Sequence, residues 1–397
     1  SSVGELPTKC EVLIVSHILN ESFTNRNDDF YYGEVPQKLI EKGFKVTVGL
    51  INHTKTPSSV LAQTWCWSNV PRVIFSPLLS LARELSLYFR IFCKAYRHKG
   101  YKKNYRVSDL ACRVMKRVAV ERFSGGTLAT LRLGEQIKAL VKHSKPRVIM
   151  VTYEGHSWER IAFAAARSVC PKIRCVGYQH ATVFKLQHAV QRNLADPYNP
   201  DLILTSGRFS YEVLKRNQDL RSVPIEIIGS ARYVTRTASH KAVPRIHNKV
   251  TCLVLPEGDI SESSLLFGYA LECAWAIPSF KFIWRLHPNM NFKSLIKKNA
   301  LFQDLPRNII LSKHTLTEDI ARSDWALYRG STAIVQAVVS GVRPVYLHQD
   351  GETSIDPLYK VAKLRAQVVK PADFERLSAE PGAVDDPMEK LQDFCEQ

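Results

Sequence analysis

A chain of 397 residues exceeds what one hydrophobic core usually serves, so two domains are expected. With 45% hydrophobic and 23% charged residues the composition is that of an ordinary globular protein, which excludes a disordered or fibrous chain, and no internal repeat is evident. The formal charge of +18 is concentrated between Arg83 and Arg117, where eleven Lys/Arg stand against Glu84 and Asp109, and no recognition-module signature accompanies it, so nucleic acid is not an expected partner.

The chain opens as β-α-β: an apolar β-branched run from Cys10 to Ile18, a helical pattern from Tyr32 to Lys42 stopped by Gly43, and a second strand from Lys45 to Ile51. A basic helical insertion follows at about 78–125. Its apolar and basic residues alternate at helical spacing, with Tyr88, Phe89 and Phe92 beside Arg90 and Lys94. Such a helix either packs on its own domain with solvated cations outside, or lies on an anionic membrane surface through the region 83–117. Alternation then resumes with strands at 147–152, 173–178, 201–205 and 225–228 and helices at 158–169 and 210–216. The first domain, 1–234, therefore reads as Rossmann-like. The stretch 235–249 is polar and aperiodic, as a linker is.

A second series occupies 250–397: strands at 250–255, 282–286, 309–311, 325–328 and 344–347 alternate with helices at 261–276, 292–298, 316–322 and 333–340. The final helix is expected to pack back on the first domain. The fold class is thus α/β, two Rossmann-like domains facing a cleft. Nine scattered cysteines without CxxC or zinc-ligand spacing read as reduced core thiols. No uncharged run reaches the ~18 residues of a membrane span and the first residues lack a signal-peptide pattern, so a cytoplasmic chain, soluble or peripheral on the inner membrane, is expected.

No GxGxxG or GxxxxGK[ST] motif occurs, so a phosphate site must be built otherwise. Arg329-Gly330-Ser331-Thr332 follows a strand and opens an apolar helix, where backbone N–H groups and two hydroxyls would face an anion; Ser331 or Thr332 could equally be a helix cap. Arg285, His287 and Pro288 sit at another strand end, the arginine and the imidazole on one side and both able to meet a phosphate or carboxylate. Glu257 and Gly258 end a third strand and read either as a ribose or base contact or as turn residues. In the first domain Glu154 and His156 end a strand and start a helix; Glu154 is the carboxylate expected to act as general base or acid, unless it caps that helix. Gln179, His180, Ser230 and Arg232 follow two more strands of the same domain and are expected on the same rim, His180 as a catalytic group and the other three as donor or acceptor contacts.

Taken in order, Tyr153-Glu154-Gly155, Gly177-Tyr178-Gln179-His180, Gly229-Ser230-Ala231-Arg232, Pro256-Glu257-Gly258, Arg285-Leu286-His287-Pro288 and Gly330-Ser331-Thr332 resemble bacterial surface-carbohydrate transferases of the beta-Kdo transferase type, over about residues 10–350. The His-Pro and Ser-Thr pairs are also similar to the CMP-binding signatures of bacterial sialyltransferases. The resemblance implies a two-domain GT-B glycosyltransferase that takes Kdo or a related ulosonate from a CMP-activated donor and adds it to a lipid-linked or oligosaccharide acceptor of O-antigen, capsule or lipopolysaccharide. Retention of configuration without a metal, and no cofactor, are implied as well. Arg232, Arg285 and Arg329 would then be partners for the donor's carboxylate. Two other readings stay open: a GT-B transferase or epimerase using a UDP- or GDP-sugar, and a non-catalytic module that binds polyanions through the basic region.

Overall fold

The computed structural model describes residues 2–3, 9–26, 28–63, 69–99, 109–230, 250–288, 290–379 and 388–396. They form two compact units, one made of Ser1–His180, His188–Ser206 and Leu214–Arg232, the other of Ala181–Gln187, Gly207–Val213 and Tyr233–Gln397. Each is a parallel sheet with helices, the class that alternating strand and helix patterns dictate.

The first unit carries strands Ser2–Val3 (β1), Val12–Ile18 (β2), Val46–Asn52 (β3), Arg72–Phe75 (β4), Val148–Thr152 (β5), Arg174–Gln179 (β6), Leu202–Thr205 (β7) and Ile225–Ile227 (β8). Their order is β1-β4-β3-β2-β5-β6-β7-β8, all parallel except β1 against β4. Central β2 opens with the apolar run Val12–Val15 because both of its faces are covered; Leu13, Ile14 and Val15 are fully buried. The helices of this half are Val35–Glu41 (α1), Ser58–Gln63 (α2), Leu81–Lys99 (α3), Asp109–Glu121 (α4), Gly125–Ser144 (α5) and Ser157–Arg167 (α6); Arg208–Lys215 (α7) follows β7, its residues up to Val213 belonging to the second unit. Helix α3 is held on α5 by a bidentate Arg132–Glu84 ion pair at 2.8 Å and an Arg90–Glu135 pair at 2.9 Å, with Leu87 and Ile91 buried beneath.

The second unit carries Thr251–Leu255 (β9), Lys281–Trp284 (β10), Ile309–Leu311 (β11), Trp325–Tyr328 (β12), Arg343–Leu347 (β13) and Ala366–Val368 (β14), in the all-parallel order β11-β10-β9-β12-β13-β14. Helices Ile260–Ala276 (α8), Phe292–Lys298 (α9), Leu316–Ala321 (α10), Ala333–Val339 (α11), Pro371–Ala379 (α12) and Met388–Glu396 (α13) accompany it. One core gathers Phe267, Phe282, Trp284 and Phe374; another gathers Tyr328, Ile334, Val338 and Leu391. Each such side chain contributes about 1.5–3 kcal/mol by leaving water.

Three details add to the sequence reading. The strand expected at 282–286 stops at Trp284, which leaves Arg285 and His287 on the following loop. The final helix packs on α11 through Leu391 and a hydrogen bond from Gln392 Nε2 to the Val339 carbonyl. Phe209 of α7 packs edge-to-face on Phe394 and Tyr359, so that its turn of helix clusters with the second unit. The expected linker at 235–249 lies outside the described residues.

Candidate active site

Each sheet reverses its strand order once, and in open parallel sheets ligands bind beyond the carboxyl ends of the strands at that point. In the first unit the reversal lies between β2 and β5, in the second between β9 and β12. Both places carry the chemistry.

At the first, β5 ends at Thr152 and α6 begins at Ser157. The connecting loop is fixed by Glu159, whose carboxylate accepts hydrogen bonds from the backbone N–H groups of Glu154, Gly155 and His156 at 2.8–3.0 Å. Burial pushes its carboxyl up, to about 8, while the Glu154 and Gly155 N–H groups and the nearby His156 ring pull it the other way. Helix α6 is thus closed by a capping box of His156 at the N-cap and Glu159 one turn in, and not by Glu154. Gly155 is required here twice over: its φ is +87°, and a Cβ would fall 2.3 Å from the backbone of Ala189 and Val190.

Glu154 uses its two oxygens on two imidazoles, His156 Nε2 at 3.2 Å and His180 Nε2 at 3.6 Å. The bond to Glu154 raises the His156 pKa above its ordinary value. His180 packs edge-to-face on Tyr31, ring centroids 4.4 Å apart. The end of β2 adds a group that the sequence reading missed: His17, whose Nδ1 lies 2.8 Å from His53 Nε2 at the end of β3 and whose Nε2 lies 3.3 Å from Thr152 Oγ1. Tyr31 and Trp158 wall the His17 ring at 5.4 and 5.1 Å. Burial and the neighbouring imidazoles hold its pKa down, to about 3, so it is neutral at pH 7. Four histidines and a carboxylate thus line one sheet edge, able to hold or move a proton. Among the described residues no group of three or more His, Cys, Asp or Glu is placed to hold a metal ion.

At the second reversal three separate motifs meet. Glu257, just past β9, accepts the Gly330 N–H beyond β12 at 2.8 Å. Gly258 lies under the His287 ring, where a Cβ would stand 3.3–3.7 Å from three ring atoms. Burial lowers the His287 pKa below its ordinary value. Burial raises the Glu257 carboxyl, against the pull of the Gly330 N–H. Ser331 and Thr332 are half-buried beside them, and the Thr332 side chain makes no capping bond to α11.

The remaining expected residues divide. Arg329 is 2% exposed, with Nε on Glu262 at 2.9 Å, Nη2 on Glu352 and Nη1 on the Leu347 carbonyl at 3.2 Å. All three nitrogens serve protein acceptors, which fixes the buried Arg329 behind the loop. Arg285 donates through Nη1 to the wholly buried Asp319 at 2.9 Å and to the His314 carbonyl at 2.6 Å. Pro288 is exposed, and Gln179 is only 1% exposed at the end of β6, which takes it off the rim where it was expected. Ser230 follows Gly229, whose carbonyl accepts from the Tyr178 hydroxyl at 3.2 Å. Arg232 lies outside the described residues. Asp259 caps α8, accepting from the Ser261 and Glu262 N–H groups.

No protein-family profile matches the chain, and no curated protein matches it by sequence. Solved structures do. The chain is similar to the glycosyltransferase SnogD from Streptomyces nogalater (TM-score 0.55, 14% identity, covering 98% of this chain and 96% of that one). It is similar to Acinetobacter baumannii MurG (0.51, 10%, covering 97% and 99%) and to the UDP-GlcNAc 2-epimerase from Neisseria meningitidis, solved bound to UDP-GlcNAc (0.51, 15%, covering 97% and 98%). At these identities what is shared is the fold, two Rossmann-like α/β domains of the GT-B class.

Proposed function

We propose that the chain is a glycosyltransferase that binds a nucleotide-activated sugar at the β9/β12 switch point of its second unit and uses Glu154 as the acid/base group of its first. The convergence of Glu257, Gly258, His287 and Gly330 beside Ser331 and Thr332 carries this reading. An imidazole, two hydroxyls and backbone N–H groups there match the charge that gathers on a departing phosphate. Glu154, held between His156 and His180, is suited to take a proton from an acceptor hydroxyl and to share the charge with His156.

The motif resemblance points to CMP-activated Kdo or a related ulosonate as donor and to a surface-polysaccharide precursor as acceptor. A UDP-sugar transferase or epimerase is the second reading, favoured by the nucleotide-sugar epimerase among the structural neighbours. Thermal unfolding of the whole chain with CMP, UDP and GDP separates them: stabilisation by CMP alone supports the ulosonate donor, and stabilisation by UDP alone replaces it with the second reading. Loss of all nucleotide response in His287→Ala ties the effect to this site, and an unchanged response removes the site from the proposal.

A further inference from the structure

We infer that helices α3 and α4 form a docking surface for an anionic phospholipid bilayer. The clamps to α5 decide which way α3 faces. Glu84, Leu87 and Ile91 point inward, whereas Leu81, Leu85, Tyr88 and Phe92, spaced i, i+4, i+7, i+11, form an apolar stripe on the outside with Phe89 beside it. Leu81 is 77% exposed, Leu85 62%, Phe89 68% and Phe92 63%. Large aromatic and aliphatic side chains in such a row are a patch and not scattered exposure. Helix α3 thus packs one face on its own domain and presents a second, apolar one.

Helix α4 repeats the design. Leu110, Val114 and Val118, spaced i, i+4, i+8, lie on one face together with Met115, all exposed. Arg113, Lys116 and Arg117 lie on another, Arg117 paired with Glu121. The helix ends are joined where the Arg122 guanidinium donates to the Lys94 carbonyl at 3.3 Å. Arg83, Lys94, Arg113 and Lys116 are exposed cations around the two apolar stripes. In-plane amphipathic helices with apolar residues flanked by Lys and Arg fit the acyl and headgroup layers of an anionic membrane. The charge selects this occupant over a second copy of the chain, which would bring the same cations face to face. No helix among the described residues is long and apolar enough to cross a membrane, so the contact is peripheral.

This inference stands apart from the donor reading, because vesicle binding needs neither nucleotide nor sugar. The test is flotation of the full chain with phosphatidylethanolamine/phosphatidylglycerol vesicles and with phosphatidylcholine vesicles. Binding is expected to the anionic vesicles and to fall steeply when salt rises from 0.1 to about 0.5 M. Arg113→Glu/Lys116→Glu should weaken it at least about 25-fold, near fivefold per cation. Leu110→Ser/Val114→Ser/Val118→Ser should weaken it about a hundredfold or more. These positions are exposed, so melting is expected to stay unchanged; if a variant does not fold, the salt series on the unaltered chain decides. Equal binding to both vesicle types, indifference to salt, no binding at all, or apolar-dependent self-association in vesicle-free sedimentation would each overturn the inference.

Discussion

The contact between Gly330 and Glu257 is the sharpest test of the second site. In Gly330→Ala the new Cβ would stand 2.6–2.7 Å from all three terminal carboxyl atoms of Glu257, closer than real Cβ atoms approach. The carboxyl is the end of a flexible side chain, so it yields and the 2.8 Å bond from the Gly330 N–H is lost. A hydrogen bond to a charged group contributes about 1.5–3 kcal/mol, so Gly330→Ala and Glu257→Ala should each cost about 2 kcal/mol. In the double variant the methyl has room and the bond is already gone, so its cost should match that of Glu257→Ala alone. The cycle thus closes with a coupling of about 2 kcal/mol. Urea unfolding of the four proteins gives the energies, and calorimetric titration with nucleotide gives affinity, which should fall about tenfold or more in each single variant. Additive costs within about 0.5 kcal/mol would refute the geometry.

Gly155→Ala meets both a left-handed backbone and a wall of main-chain atoms, and should cost about 3 kcal/mol or more in urea unfolding, while Gly43→Ala, with φ +87° and open space around it, should cost only about 1–2 kcal/mol. His17 has a folded pKa held down to about 3, so its contribution to stability is complete above its unfolded value of ~6.5 and is lost as pH falls toward 3. Between pH 7.5 and 5.0 the chain should lose about 2 kcal/mol through this group, and His17→Gln should lose correspondingly less over the same interval when urea midpoints are compared. Glu154→Gln should lower turnover about a hundredfold or more with nucleotide affinity unchanged, and in an NMR titration the raised His156 pKa should move down, because Glu154 is the first cause of its elevation.

The strands that were legible are those buried on both faces, such as Val12–Ile18 and Thr251–Leu255, whose apolar stretches Val12–Val15 and Cys252–Leu255 leave no other assignment. The short edge strands Arg72–Phe75 and Ala366–Val368 carry too few residues for a pattern, and the long helix Gly125–Ser144 begins with two glycines that argue against it although Ser124 caps it through the Thr127 N–H. Strand ends pointed to Glu154, Glu257, Gly258 and His287 as candidates, since each lies in the loop just past an apolar strand. What no local pattern reveals is pairing across the sheet: Glu257 and Gly330 are brought together only because β12 lies beside β9. The same non-locality hid the partners of Arg329, an arginine next to glycine whose two acids, Glu262 and Glu352, come from distant segments. His17 and His53 were silent because a single histidine at a strand end carries no signal until the second one is seen against it.

Glu159 hangs three consecutive peptide groups from one buried carboxylate, holding Glu154 and His156 by their backbone N–H groups and not by their reacting side chains. The loop that presents Glu154 therefore depends heavily on one side chain. Damage to it would masquerade as a chemical defect: a Glu159 variant would release residues 154–156 together, and its lost turnover would report a fallen scaffold with every reacting group still present.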